Sequence, residues 1–158
     1  MRPGRRLAID VGAARVGIAI SDQHAILASP LVTLQRVNID NSFSELFESI
    51  ENFDDLLEIY IGLPLNLAGE NTQSTLDAVS FAKELHKQTD KPVLLIDERL
   101  TTSLSNQRLR EVGKSQKDAR STIDQMAAVA ILEYAFQVEN NSNARPGQSL
   151  EEWSAANE

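Results

Sequence analysis

Hydrophobic and polar positions along the chain alternate at first and then take a helical period. Residues 5–11 (Arg-Arg-Leu-Ala-Ile-Asp-Val) and 15–21 (Arg-Val-Gly-Ile-Ala-Ile-Ser) read as two strands joined at Gly12, a hairpin pattern. Pro30 precedes a third strand, Leu31 to Leu34. Residues 42–53 place Phe43, Leu46, Phe47 and Ile50 at helical spacing, with Ser42 and Glu45 forming a capping box. Residues 57–62 (Leu-Glu-Ile-Tyr-Ile-Gly) predict a fourth strand. Gly62 to Gly69 then reads as a loop with apolar anchors. A long helix follows from about Thr72 to Gln88, with Leu76, Val79, Ala82 and Leu85 on one stripe. Pro92 opens a short apolar strand, Val93 to Ile96, of the kind buried in parallel sheets. Thr101 or Thr102 caps a helix to about Glu111, ended by Gly113. A last helix spans about Thr122 to Val138, and the polar remainder from Asn140 is expected to be mobile.

This order predicts an α/β fold. Its five-stranded mixed sheet has a three-stranded antiparallel start, then parallel crossovers, with helices on its faces. The first, fourth and fifth strands should run parallel, because each connection is long enough for a crossover. Their carboxyl ends then share one edge, where open α/β sheets place their sites. Residues 1–138 form one domain in this reading, and 139–158 form an acidic tail.

Composition narrows the chemistry. The chain has 158 residues, 42% of them hydrophobic, which suits one domain with a real core. It has no cysteine, which removes disulfides, thiolate zinc sites and thiol nucleophiles together. His24 and His86 lie far apart, so a histidine-built metal site is not expected. Any metal would be held by carboxylate oxygen. The longest apolar run, Met126 to Leu132, is far short of a membrane span. Asp10 interrupts the apolar stretch after the basic N-terminus, so no signal-peptide core is expected and the setting is read as cytoplasmic.

The net charge of −8 speaks against nucleic acid, but its distribution does so less. Residues 1–36 carry five Arg against two Asp, and residues 99–120 carry six basic groups against two acids. Residues 37–98, between them, hold thirteen acids and three Lys. A phosphate-binding face needs local positive charge rather than a positive total.

Three acids stand in unexpected places. Asp10 sits between Ile9 and Val11 in a strand, where an unpaired carboxylate is costly. Asp97 and Glu98 follow the fifth strand on opposite faces. Asp124 shares a helix face with Ala127, Ala128, Ile131 and Ala135. Taken singly, Asp10 and the Asp97–Glu98 pair read as ordinary turn or strand-exit acids, and Asp124 reads equally as a first-turn acid favoured by the helix dipole. Together they can converge at one sheet edge. Converging carboxylates repel unless a cation lies between them, and an all-oxygen site suits Mg²⁺ or Mn²⁺. Two such ions are a known arrangement for phosphodiester hydrolysis.

Four segments resemble the YqgF (RuvX-like) nucleases. They are Asp10 to Asp22 (Asp-Val-Gly-Ala-Ala-Arg-Val-Gly-Ile-Ala-Ile-Ser-Asp), the Gly62 to Gly69 loop, Asp97-Glu98-Arg99-Leu100-Thr101-Thr102, and Ile123 to Leu132. The match covers about residues 5–138. The resemblance implies an RNase H-like fold, a cytoplasmic setting and a role in maturing the 5′ end of pre-16S ribosomal RNA. Similarity to RuvC adds Holliday-junction resolution as the alternative. It implies Asp10, Glu98 and Asp124 as the catalytic, metal-binding acids, with Asp97 as the spare. Gln125 departs from the small or apolar residue expected after the acid, and it is expected to face outward.

Arg15 is a candidate phosphate contact or an exposed hairpin residue. Arg99 reads first as an ion-pair partner of Asp97 or Glu98, and second as a nucleic-acid contact. Arg108, Arg110, Lys114, Lys117 and Arg120 lie between the third motif and the last helix, in a segment suited to gripping a nucleic-acid backbone or simply solvated. The leading reading is a metal-dependent endonuclease on structured RNA, with ribosomal proteins as further partners. Its rivals are a resolvase on branched DNA, a nucleotide-binding ATPase and a non-catalytic ribosome-assembly factor. The ATPase reading needs two lobes, for which this chain lacks room. The sequence carries no dimer signature and leaves the oligomeric state open. His24, His86 and Trp153 carry no usable signal.

Overall fold

A computed structural model describes residues 1–40, 42–101 and 116–158, the side chains of 116–122 excepted. Strands β1 (Arg5–Val11), β2 (Arg15–Ser21) and β3 (Ala28–Gln35) form an antiparallel meander. Two short helices follow, α1 (Arg36–Ile39) and α2 (Ser44–Ile50). Then come β4 (Leu56–Leu63), α3 (Gln73–Gln88) and β5 (Val93–Asp97), which ends in a 3-10 turn over Glu98–Leu100. The long helix α4 (Gln116–Ser142), the two-residue strand β6 (Gln148–Ser149) and α5 (Leu150–Asn157) complete the described elements.

The sheet order is β3-β2-β1-β4-β5-β6. Strands β1, β4 and β5 are parallel, with Ile9 beside Ile61 and Ile61 beside Leu95. Their carboxyl ends therefore share one edge, as the crossover lengths imply. The sheet has six strands rather than five. The extra strand is β6, which pairs antiparallel with β5 through Leu94–Ser149 and Leu95–Gln148. A two-residue strand leaves no alternating pattern in the sequence.

Strand alternation sorts the core into two layers. Leu7, Ile9, Val16, Ile18, Ile59, Ile61 and Leu95 face α1, α2 and α3. Ala8, Ala19, Tyr60, Leu94 and Ile96 face α4, which offers Ala128, Ile131, Leu132 and Ala135 in return. The first layer is large and branched, whereas the second is small where β1 and β2 meet the helix. That difference lets α4 lie close against the sheet.

Several local expectations change. Helix α2 begins at Ser44 with Phe43 as its N-cap and no side-chain cap. Ser42 Oγ accepts from the Ser44 amide instead, and Glu45 accepts from Asn38, so the Ser42–Glu45 capping box does not form. Helix α3 does start at Thr72, through reciprocal Thr72–Thr75 caps. Its buried stripe runs through Thr75, Ala78, Val79, Ala82 and Leu85, which leaves Leu76 48% exposed. Helix α4 extends to Ser142, beyond the expected end at Val138.

Residues expected to form a tail carry β6 and α5 and pack on the domain. Ser149 Oγ caps α5 by accepting from the Glu152 amide at 3.1 Å. Trp153 is only 5% exposed, and Lys83 Nζ lies 5.6 Å from its ring centroid. Trp153→Ala should lower stability by about 3–5 kcal/mol through the cavity it leaves. Urea unfolding read by circular dichroism measures this. A loss below 1 kcal/mol would mean that α5 does not share the core.

Candidate active site

Asp10 is the last but one residue of β1 and faces α4, because it shares parity with Ala8. Its neighbour across β2 is Gly17, and the next position along the β1–β4 register brings it beside Gly62. Both glycines make room for another acid. A Cβ on Gly17 would overlap the Asp124 carbonyl oxygen and lie 2.9 Å from the Asp124 Cβ. A Cβ on Gly62 would overlap Glu98 Oε1 and lie 2.8 Å from Ile131 Cδ1. Asp124 therefore reaches the sheet over β2, and Glu98 reaches it over β4, on either side of Asp10.

The structure separates the two acids that follow β5. Glu98 turns to the α4 side and shares a hydrogen bond with Asp10. Asp97 turns away and holds Arg99, with Arg99 Nη2 2.8 Å from Asp97 Oδ2. It also accepts the Arg99 amide at 2.9 Å, and these bonds outweigh burial and hold its carboxyl below the usual range.

Asp10 is the proton holder of the pair. Burial, then the charge and hydrogen bond of Glu98, then the charge of Asp124, push its carboxyl up to about 8. Burial also raises Glu98. Asp124 is engaged by Arg15, whose Nε lies 2.8 Å from Asp124 Oδ2. Two acids thus meet directly and the third stands within electrostatic reach. Among the described residues, no three acidic or histidine side chains are grouped as a ready-made metal cage. The donor set is nonetheless all carboxylate oxygen, short of positive charge and holding a proton in its place. That chemistry fits a hard divalent cation.

The basic candidates divide. Arg15 belongs to the site through Asp124, while Arg99 is tied to Asp97. Arg108, Arg110 and Lys114, with the helix cap expected at Thr102 and its end at Gly113, lie outside the described residues. So do the side chains of Lys117 and Arg120. Thr101 donates its hydroxyl to the Glu98 carbonyl at 2.9 Å and closes the 3-10 turn. Gln125 does not face outward. Its amide donates to Thr33 on β3 at 3.0 Å, because α4 crosses the meander.

Arg36 is the positioning residue that the motifs did not reveal. Its Nη1 donates to the Gly12 carbonyl at 2.8 Å, and its amide donates to Ala14. The same guanidinium grips both Asp77 oxygens on α3 and reaches Asp40 at 3.0 Å. It therefore fastens the turn between Asp10 and Arg15 to α3. Its partners are scattered along the chain, so no short motif announces them.

Two outcomes follow from this geometry. Gly17→Ala pushes against backbone on both sides, and should cost about 1–3 kcal/mol in urea unfolding. A neutral result would show that α4 does not approach as closely as described. The folded Asp10 keeps its proton to about pH 8, whereas its ordinary value is 3.8. The folded state thus binds more protons across that window, and stability falls as pH rises through it. Asp10→Asn, which cannot ionise, should melt above the metal-free wild type at pH 8.5 and close to it at pH 4. Equal melting at both would remove the burial argument.

The family described as RuvX: Holliday junction resolvase matches residues 4–138. A protein of Leifsonia xyli subsp. xyli named "Putative pre-16S rRNA nuclease" is 41% identical over 151 residues, covering 96% of this chain and 97% of its own. A Streptomyces avermitilis protein of the same name is 40% identical over 152 residues, covering 96% and 97%. Among solved structures, Thermus thermophilus RuvC in complex with a Holliday junction substrate aligns with a TM-score of 0.52 at 12% identity. That alignment covers 90% of this chain and 99% of the other, and at that identity it speaks for the RNase H-like fold alone. With the four motifs in order and relatives at 40–41% identity along nearly its whole length, the chain belongs to the RuvX family.

Proposed function

We propose that this nuclease hydrolyses phosphodiester bonds in structured RNA, in the 5′-end processing of pre-16S ribosomal RNA in the cytoplasm. The observation that carries the chemistry is the buried Asp10–Glu98 pair, which shares a proton at the carboxyl edge with Asp124 beside it. The relatives' name supports the substrate.

Asp10, Glu98 and Asp124 would hold Mg²⁺ or Mn²⁺, two ions in the full site. Bound there, such ions supply an activated water and charge stabilisation for the leaving oxygen. The chain's own side chains set the conditions. Asp10 gives up its proton before it can act as a ligand, so metal uptake at neutral pH releases a proton. Glu98 is fixed by Thr101, which holds its carbonyl, and by the space over Gly62. Arg15 stands half-buried beside Asp124, where its guanidinium can turn to a phosphate oxygen. Arg108, Lys114, Lys117 and Arg120 would grip the backbone. Few aromatics leave shape and backbone recognition as the main source of specificity, aided by ribosomal partners.

A four-way DNA junction is the competing substrate, favoured by the family's description. Cleavage by the purified protein decides between them. A 5′-extended 16S precursor fragment and a junction are offered in parallel with Mg²⁺, Mn²⁺ or EDTA, beside Asp10→Asn. Cutting of the RNA alone, lost with EDTA and reduced at least a thousandfold by Asp10→Asn, is expected. Symmetric cutting of the junction alone would make the protein a resolvase. RNA binding without cutting would make it an assembly factor.

A further inference from the structure

The mechanism uses the α4 side of Glu98 and leaves the other side of the same turn unexplained. There, a cavity of about 250 Å³ opens between the loop after β4, the 3-10 turn, α4 and β6. Leu63, Leu65, Leu100 and Tyr134 line its walls, and the Asp97 carboxylate and the Gln148 side chain supply polar groups. Neither the Tyr134 hydroxyl nor the Gln148 amide has a hydrogen-bond partner within the protein among the described residues. Asp97 and Leu100 flank Glu98 in the chain, so the cavity shares its wall with the acidic site.

One wall is unusually fixed for a loop. Asn66 Oδ1 accepts the amides of Ala68 at 3.0 Å and Glu70 at 2.9 Å. The Gly69 amide donates to the Asn66 carbonyl at 2.9 Å, and Leu65 bridges Asn71. The Thr75 hydroxyl donates to the Pro64 carbonyl and ties the loop base to α3. Gly69 adopts φ +81°, and the Arg99 guanidinium packs against it, 3.0 Å from where a Cβ would stand. These bonds seat Leu65 against the core yet hold Leu67 98% exposed at the tip.

We propose that this cavity receives one unpaired nucleobase of the RNA, from a nucleotide flanking the phosphodiester at Asp10 and Glu98. The inference rests on the nuclease reading above. The volume lies below the roughly 300–1,000 Å³ of pockets for larger ligands and suits a single base. Leucine walls and a tyrosine match the faces of a base, and the unpartnered amide matches its edge. The Asp97 oxygens are taken by the Arg99 amide and guanidinium, so the base edge is left to the Gln148 amide and the Tyr134 hydroxyl. A paired base has its edge occupied and cannot enter, so the cut lies next to an unpaired nucleotide.

The test uses the precursor fragment with 2-aminopurine placed singly at the nucleotides flanking the cut. Binding is followed with Asp10→Asn, which keeps the RNA whole. Fluorescence should rise severalfold at one position, as that base leaves its stack. Gln148→Ala and Tyr134→Phe, introduced separately, should fold as the wild type does by melting temperature and reduce the rise. In otherwise wild-type protein, Gln148→Ala should raise KM about three- to tenfold with kcat little changed.

Bound RNA with flat fluorescence at every position, or an unchanged KM in Gln148→Ala, would overturn the pocket and leave the nuclease intact. Failure of the wild type to bind or cut RNA would overturn the nuclease reading itself and the pocket with it. A rise on a four-way DNA junction but not on RNA would overturn the RNA assignment and move the ligand to DNA.

Discussion

The close approach of α4 to the sheet is the constraint on which the site depends. Asp124 lies on a helix, while Asp10 and Glu98 belong to strand ends, so only helix–sheet packing joins them. A typical branched layer on β1 and β2 would hold the helix off. Ala8 and Ala19 on the α4 face, with Gly17 and Gly62 beside Asp10, remove that obstacle. The helix answers with Ala128 and Ala135. Small residues here give up apolar burial, which the large layer on the opposite face supplies through Ile9, Ile18, Leu46 and Leu85.

The same helix meets buried acids at both ends of the sheet, and the two ends are resolved differently. At the amino ends of the strands, Glu58 and Glu139 are almost fully buried. Arg6 Nη2 reaches Glu139 at 2.7 Å, and Arg2 Nη2 reaches Glu58 at 2.6 Å and also binds Glu139. Tyr60 adds its hydroxyl to Glu58 at 2.6 Å. Two guanidinium groups thus balance two carboxylates. At the carboxyl ends, three acids face one another with Arg15 as the counter-charge on Asp124, and Asp10 retains a proton near neutral pH. The fold thus balances one buried acid cluster with two guanidinium groups and leaves the other with one arginine and a retained proton.

Much of this was legible in the sequence, because local pattern carried it. The bounds of β1 and β2, the parallel β1, β4 and β5, and the face of Asp124 all follow from alternation or helical period. Parity alone could not choose between Asp97 and Glu98. The choice needed the chain beyond β5, where Arg99 draws Asp97 away. What was missed depends on contacts distant in sequence. Trp153 looked like a residue in a polar tail because its partners lie on β5 and α3. Leu76 looked buried because Thr75, a polar residue, takes the inward position through the cap and its bond to Pro64. Arg2 and Arg6 looked like a basic extension, yet their partners Glu58 and Glu139 lie more than fifty residues away. Arg36 shows no local pattern at all, since it works by joining a turn, a short helix and α3.

The acidic total is compatible with a polyanionic substrate once the placement of the charges is considered. The thirteen acids of residues 37–98 do not form one bare negative surface. Asp40 and Asp77 are held by Arg36, Asp55 by Arg5 at 3.1 Å, and Glu58 by Arg2 within the core. Asp97 is held by Arg99, and Asp10 and Glu98 share a proton. Positive charge, by contrast, is concentrated in residues 99–120, six basic groups against two acids. That stretch leaves the sheet directly after Glu98 and rejoins the fold in α4, ahead of Asp124. Both of its ends are therefore fixed at the acidic site by topology. The order of elements therefore sets the two ends of the most basic stretch of the sequence beside the acidic site, whatever the sign of the whole chain.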